Sequence, residues 1–341
     1  MKVINVRAER NYEVESRINW SSRLAQLTAN RNYRVIVPSS IAEKVSREIP
    51  ASHLIIAPEG ESQKTFSFLE DVLEKLAVAR LSRDSLLVGI GGGATTDLTG
   101  FAAATYLRGI EWIAIPTSVA GMVDAAIGGK TGINLTSGKN LAGSFYSPIK
   151  VLIDFDWIES LLPRDINAGL SEAVKYGFIA DEEILSLMEG NLETNLPEII
   201  ERSVAVKASV VSSDFKESGE REILNYGHTL GHAIEKDSKF SLRHGEAIAI
   251  GMHYAAALSV KIEGLSDEIF NRHQEILKRI EQPLYYDAAA WESLYSYMLN
   301  DKKRNSDEVR FVSLKALGEC GRINVSESIL REVYLKQIGR S

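Results

Sequence analysis

A chain of 341 residues with 45% hydrophobic and 25% charged residues can bury the cores of two globular domains. Its formal net charge of −7, with no basic stretch or stripe, excludes the electrostatic footprint of a nucleic-acid binder. Cys320 is the single cysteine, which excludes an internal disulfide and a thiolate metal cage, so any bound metal must take His and carboxylate ligands.

The opening MKVINVRAERNYEVESR scatters charges where a secretory signal needs an apolar core, and no window approaches the ~20 apolar residues of a membrane span. The expectation is a cytoplasmic protein without a membrane partner. Short β-branched runs follow at 2–6, 34–38, 53–57, 86–90 and 112–116, separated by helical patterns. That alternation predicts an α/β domain with a parallel sheet covered by helices. After VLID at 151–154 the texture changes to long helical segments at 165–180, 195–213, 221–236, 244–263 and 265–281. A charged loop from 301, two short strands and a closing helix over 326–337 complete the expectation. The division is therefore 1–155 for the α/β half and 156–341 for a mostly helical half.

Within the first half, PEGESQK places Glu61 and Lys64 in a loop after the third predicted strand, where a carboxylate could take ribose hydroxyls or start a helix. The run at 86–90 enters Gly91, Gly92 and Gly93 and then a helix ending near Gly109. Glycine lets backbone amides approach a pyrophosphate at a helix N-terminus. The run lacks the full GxGxxG fingerprint, and a plain tight turn is the alternative. Thr117 and Ser118 follow the fifth predicted strand, as cofactor contacts or helix caps; Asp124 and a GGK turn ending at Lys130 come next.

In the second half, NYGHTLGHAIE sets His228 and His232 four residues apart, on one helical face. His244 opens the next helical pattern, and Glu172 sits in the helical GLSEAVKYG. One Glu with two or three His from separate helices would make a catalytic zinc site with an open position. Each histidine alone reads as an ordinary core or surface residue. Their gathering within 17 residues, each beside glycine, favours the metal. His53, His253 and His273 have no such surroundings and read as structural or solvated. Arg108, Lys130, Lys139, Lys175, Lys207 and Arg221 fall in or beside these motifs in an acidic chain, which an anionic substrate would explain.

Taken together, GGGATTDLTGFAAATYLRG, IPTSVAGMVDAAIGGKTGIN, SGKNLAGSFY, LPRDINAGLSEAVKYG, EREILNYGHTLGHAIE and HGEAIAIGM resemble the 3-dehydroquinate synthase family, in order and spacing, nearly end to end. The resemblance implies a Rossmann-like N-terminal domain, a helical C-terminal domain, a homodimer, NAD, and one zinc with cobalt as the alternative ion. The implied substrate is the sugar phosphate 3-deoxy-D-arabino-heptulosonate 7-phosphate.

By the same resemblance Glu172, His228 and His244 look like metal ligands, and His232 like an acid/base group. Lys130, Lys139, Asn140, Lys175, Lys207, Arg221, Asn225 and Lys302 or Lys303 of the DKK motif look like phosphate and substrate contacts. Arg108 resembles the residue that reaches a neighbouring subunit's phosphate pocket, and Asp124 one near the nicotinamide and substrate. Glu61, Lys64, Gly92, Gly93, Asp97, Thr117 and Ser118 match NAD positions, with Lys130 and Lys139 bordering them. The family commonly has Gly where Thr96 stands and Thr where Ser118 stands. Three rivals remain: another sugar phosphate cyclase making a valiolone or deoxy-inosose, a metal-dependent polyol dehydrogenase, and an inactive NAD-binding protein on the same scaffold.

Overall fold

The computed structural model describes residues 1–300 and 308–340. The chain divides into two compact units, Met1–Leu161 with Lys207–Lys216, and Leu162–Val206 with Glu217–Ser341.

The first unit contains β1 (Lys2–Val6), β2 (Tyr12–Ser16), α1 (Trp20–Thr28), β3 (Tyr33–Pro38), α2 (Ser39–Ser46), β4 (Leu54–Ala57), α3 (Phe66–Val78), β5 (Leu86–Gly91), α4 (Gly93–Thr105), β6 (Glu111–Pro116), β7 (Lys130–Leu135), β8 (Gly138–Phe145) and β9 (Lys150–Ile153). Seven strands form one sheet in the order β1-β2-β9-β6-β5-β3-β4. From β2 to β4 every pairing is parallel. The β5 run LLVGIG is buried throughout, as a strand covered on both faces must be. Val35, Ile36, Val37, Leu86, Leu87, Val88, Ile113 and Ile115 are fully enclosed, each such side chain contributing ~1.5–3 kcal/mol of hydrophobic stabilisation.

The expected parallel α/β architecture is borne out, with two differences of detail. β1 pairs antiparallel with β2, Lys2 opposite Ser16. The YEVES segment carries too few apolar residues to announce a strand, yet a short connection from β1 brings it back alongside as a hairpin. The GGK turn opens an antiparallel β7–β8 hairpin, Lys130 opposite Phe145. Its second strand, GKNLAGSF, has no regular alternation of apolar and polar residues, and local pattern does not separate it from a loop.

The second unit is mostly helical: α5 (Pro163–Ile179), α6 (Glu182–Glu189), α7 (Leu192–Ser213, whose last turns belong to the first unit), α8 (His228–Asp237), α9 (His244–Glu263), α10 (Asp267–Arg279), α11 (Trp291–Asn300) and α12 (Glu327–Val333). Strands β11 (Glu308–Ala316) and β12 (Glu319–Ser326) pair antiparallel. The two-residue β10 (Tyr286–Asp287) and β13 (Gly339–Arg340) pair in parallel. Leu230, Ile234, Ile250, Tyr254, Trp291, Phe311 and Tyr334 pack into one core. Pro163 begins α5, where its missing N–H costs nothing and its fixed φ suits the first turn.

The helix expected over 221–236 is two elements. A 3-10 segment, Glu220–Asn225, ends at Tyr226, and Gly227 takes a left-handed φ of 82° before α8 begins. A residue without Cβ is required there on two grounds. The conformation disfavours L side chains, and a Cβ would stand 2.8 Å from the Met252 backbone nitrogen and 3.1 Å from the Ile248 carbonyl.

Candidate functional site

Close helix packing places the histidines. A Cβ on Gly245 would lie 1.8 Å from the Ala168 carbonyl oxygen of α5, and one on Gly251 would lie 1.9 Å from the Gly227 carbonyl before α8. Glycine at these positions lets α9 press against both neighbours. His244 at the start of α9, His228 at the start of α8 and Glu172 in mid-α5 then converge, with ligand atoms all within 4.8 Å of one another.

The Glu172 Oε1 lies 3.0 Å from His244 Nε2 and 3.6 Å from His228 Nε2. Its other oxygen pairs with Lys175 Nζ at 2.5 Å, and both side chains are 1% exposed. Burial opposes the carboxylate charge, but Lys175, His228 and His244 outweigh it and hold Glu172 well below the usual carboxylate range. Burial, reinforced by the Lys175 charge, pushes His228 down to about 3, so this ring is neutral. Its Nδ1–H donates to the Tyr226 carbonyl at 3.1 Å, which leaves Nε2 with a free lone pair on the Glu172 side.

His244 is the opposite case. Burial lowers it, but the hydrogen bonds it donates to Glu172 and Glu235, with the charges of those carboxylates, prevail and raise it to about 10. Two imidazole nitrogens and a carboxylate oxygen, without sulfur, suit a borderline divalent ion with an open fourth position, and the Glu235–His244 bond is the usual outer support of such a ligand. The residues present therefore fit a metal such as zinc.

His232 follows His228 by one turn of α8, with ring centroids 5.2 Å apart, and lies 6.0 Å from His244 by the same measure. With Glu235 and His244 it forms a second group of potential ligands. Just upstream, Arg221 is buried in the 3-10 segment, and Asn225 donates to Glu217 at 3.1 Å.

In the first unit, Lys64 is 1% exposed and pairs with Asp97 at 2.6 Å, with Asn140 accepting from the same ammonium and Glu61 at 4.0 Å. Asn134 ties this group together: its amide donates to Glu61 at 2.6 Å, and its side-chain oxygen accepts from the Asn140 N–H at 2.9 Å. Burial raises Asp97 to about 6 although the Lys64 charge opposes the shift. Gly92 caps α4 without a side-chain hydrogen bond, which leaves the amide end of the helix as a cradle for an anion. A Cβ on Gly93 would stand 2.9 Å from Ala125. This glycine-built helix start, with a carboxylate and a lysine beside its first turns, fits a dinucleotide. Thr96 turns its hydroxyl to the Gly93 carbonyl at 2.9 Å, packed within the helix.

Lys207 belongs to the first unit and donates to the Asp124 carboxylate at 2.6 Å and to its carbonyl at 2.5 Å. The Thr117 N–H bonds the Gly91 carbonyl, and Ser118 Oγ accepts from the Gly121 N–H at 3.2 Å, a capping use. Lys130 opens β7 and Lys139 lies in β8. Arg108 stands exposed at the far end of α4 from Gly93, with φ 64°, and does not join this cluster. Lys302 and Lys303 lie outside the described residues. Sequence reasoning missed Glu235 and Asn134. The first repeats the helical face of His228 and His232, a usable signal; the second has none.

Two family models cover most of the chain: 3-dehydroquinate synthase N-terminal over residues 54–168, and 3-dehydroquinate synthase C-terminal over 169–304. The 3-dehydroquinate synthase of Corynebacterium diphtheriae is 43% identical over 340 residues, spanning 95% of this chain and 94% of that protein. The chain belongs to the 3-dehydroquinate synthase family. A 3-dehydroquinate synthase of Thermobifida fusca is 49% identical over 286 residues, 81% of this chain and 77% of that protein. Among solved structures, a 2-deoxy-scyllo-inosose synthase complexed with carbaglucose-6-phosphate, NAD+ and Co2+ superposes with a TM-score of 0.88 at 27% identity, covering 99% of this chain and all of that one. A 2-epi-5-epi-valiolone synthase from Streptomyces hygroscopicus with NAD+ and Zn2+ bound gives 0.86 at 23% identity over 98% of each chain, a likeness of fold. Family members and sugar phosphate cyclases thus share one scaffold.

Proposed function

We propose that this protein is a 3-dehydroquinate synthase that converts 3-deoxy-D-arabino-heptulosonate 7-phosphate into 3-dehydroquinate and phosphate, a carbon–oxygen lyase of the shikimate pathway of aromatic amino acid biosynthesis. The observation that carries the reading is 43% identity to such an enzyme along 95% of the chain, against 27% to an inosose synthase of nearly the same fold.

Glu172, His228 and His244 would hold zinc or cobalt, and Gly92, Gly93, Asp97, Glu61, Lys64, Thr117 and Ser118 would hold NAD. When bound, these groups supply a Lewis acid and a hydride acceptor for transient oxidation of a secondary hydroxyl. The chain's own residues do the rest. His232 exchanges a proton at its ring nitrogen as substrate hydroxyl and carbon protons come and go. Lys130, Lys139, Asn140, Lys175, Lys207, Arg221 and Asn225, with Lys302 or Lys303, bind the carboxylate, hydroxyls and phosphate. Asp124, whose carboxylate holds Lys207, orients that ammonium. One substrate carried through oxidation, phosphate elimination, reduction and aldol closure needs many fixed contacts, which accounts for the abundance of cations. Residues 1–155 would be the NAD-binding domain and 156–341 the metal- and substrate-binding domain, in a cytoplasmic homodimer in which Arg108 reaches the partner's phosphate pocket. In support of a non-membrane setting, no helix among the described residues is long and apolar enough to cross a bilayer.

The fold likeness to the inosose synthase favours a second reading, another sugar phosphate cyclase. Zinc-loaded protein with NAD and the heptulosonate phosphate separates the two. Phosphate release without net NADH, abolished by EDTA, supports the first reading. No phosphate release from metal- and NAD-loaded protein points to the second, and accumulating NADH points to a dehydrogenase.

A further inference from the structure

We propose that His273 and Tyr226 form a buried pin that positions the metal ligand His228 and so sets metal affinity in this chain. The inference rests on reading Glu172, His228 and His244 as a metal site.

His273 lies on α10 and is completely buried. Its Nδ1 lies 2.8 Å from the Ile269 carbonyl of its own helix. A carbonyl only accepts, so Nδ1 carries the hydrogen and Nε2 offers a lone pair. That lone pair lies 2.9 Å from the Tyr226 hydroxyl, which donates to it. Burial pushes His273 down to about 3, so the acceptor ring stays neutral. The His273 ring also stacks on Phe178 at an interplanar angle of 12°, and Phe178 follows Glu172 on α5.

Tyr226 therefore has its ring held at the hydroxyl end, while its backbone carbonyl accepts the Nδ1–H of His228 at 3.1 Å. This bond selects the tautomer that turns Nε2 toward Glu172. The residue between them is the left-handed Gly227, which gives the carbonyl no support from continuous helix. The buried ring supplies that support. A carbonyl or carboxylate behind a ligating histidine is a recognised determinant of metal affinity. Here the determinant is held from one step further out, through a residue pair that lies outside the ligand set Glu172, His228 and His244.

The test uses full-length protein stripped of metal and reloaded, with zinc affinity measured by chelator competition and the visible spectrum of the Co2+ form recorded. Tyr226→Phe and His273→Leu should each raise the zinc Kd by about tenfold or more and shift the Co2+ bands. His273→Gln, whose side-chain oxygen can accept the hydroxyl proton, should stay within about threefold of the parent. A zinc Kd within about twofold of the parent for Tyr226→Phe, with only the thermal midpoint of the metal-free protein lowered, overturns the proposal and leaves a purely structural pair. If Tyr226→Phe does not fold, equal zinc affinities for His273→Leu and the parent overturn it instead. A parent that binds no stoichiometric zinc overturns the metal reading itself, and the positioning role with it.

Discussion

The two nitrogens of His244 are each gripped by a buried carboxylate: Nδ1 lies 3.0 Å from Glu235 Oε2, and Nε2 lies 3.0 Å from Glu172 Oε1. One of these carboxylates faces the ligand cluster, and the other stands behind the ring. Glu235 thus fixes the ring plane and keeps Nδ1 protonated, so that Nε2 is the atom presented to a cation.

Replacing Glu235 by Ala should leave the ligand set intact while weakening zinc binding by about 10–100-fold, as loss of an outer-shell partner does. Competition with a chromophoric chelator measures it. An unchanged affinity would show that packing alone orients His244.

Metal uptake should be coupled to proton release. The two carboxylates raise His244 to about 10, so at pH 7 the metal-free ring is protonated and a cation must displace that proton. Zinc affinity should then rise by roughly tenfold per pH unit on the acid side of that value. Titration calorimetry in buffers of different ionisation enthalpy should count about one proton released per zinc. The same raised value favours the metal-free fold at low pH, a contribution lost as pH climbs through about 10. A pH-independent affinity between pH 6 and 8 would count against this arrangement.

Chelation with EDTA should abolish phosphate release, and readdition of Zn2+ or Co2+ should restore it. Recovery with Mg2+ alone would contradict a histidine-rich site, because hard ions prefer oxygen ligands.

Adding one methyl to α9 tests the packing that assembles the ligands. Gly245→Ala would drive a Cβ to 1.8 Å from the Ala168 carbonyl, and two backbones must separate to admit it. The expected cost is ~1–3 kcal/mol in denaturant unfolding, together with weaker zinc binding because His244 is the adjacent residue. A variant as stable and as tight as the parent would refute the close approach.

The Lys64–Asp97 pair predicts a pH effect of the same sign in a lower pH window. Burial lifts Asp97 from its ordinary 3.8 to about 6 despite the lysine. The folded chain then binds a proton more tightly than the unfolded one, so this group's contribution to stability falls as pH rises from about 4 to about 6. Lys64→Met removes the compensating charge and should steepen that fall, while NAD binding, followed by fluorescence, should weaken by about tenfold or more from loss of one charge-assisted contact. A flat stability profile across that window in both proteins would contradict the burial of Asp97.

Much of this molecule was legible along the chain. Hydrophobic runs of five residues located β3, β4, β5 and β6, because a strand covered on both faces has to be apolar along its length. The i, i+4 spacing of His228 and His232 needed only helical periodicity to put both rings on one face. The single cysteine settled the donor chemistry open to a metal. These are local properties, written in consecutive residues.

What the sequence did not carry were relations between distant segments. The break at Gly227 looked like continuous helix, since a glycine inside a helical pattern is tolerated and only the contact with Met252 and Ile248 demands the left-handed turn. Lys207 reads as a candidate contact for an anionic substrate, and nothing in the sequence announces its bond with Asp124. Glu235 and His244 are separated by a loop, and their pairing depends on α8 and α9 meeting at glycines. Spacing reports which face a residue occupies on its own element. Which faces meet is decided by where side chains are small enough for backbones to touch, and only the folded chain contains that information.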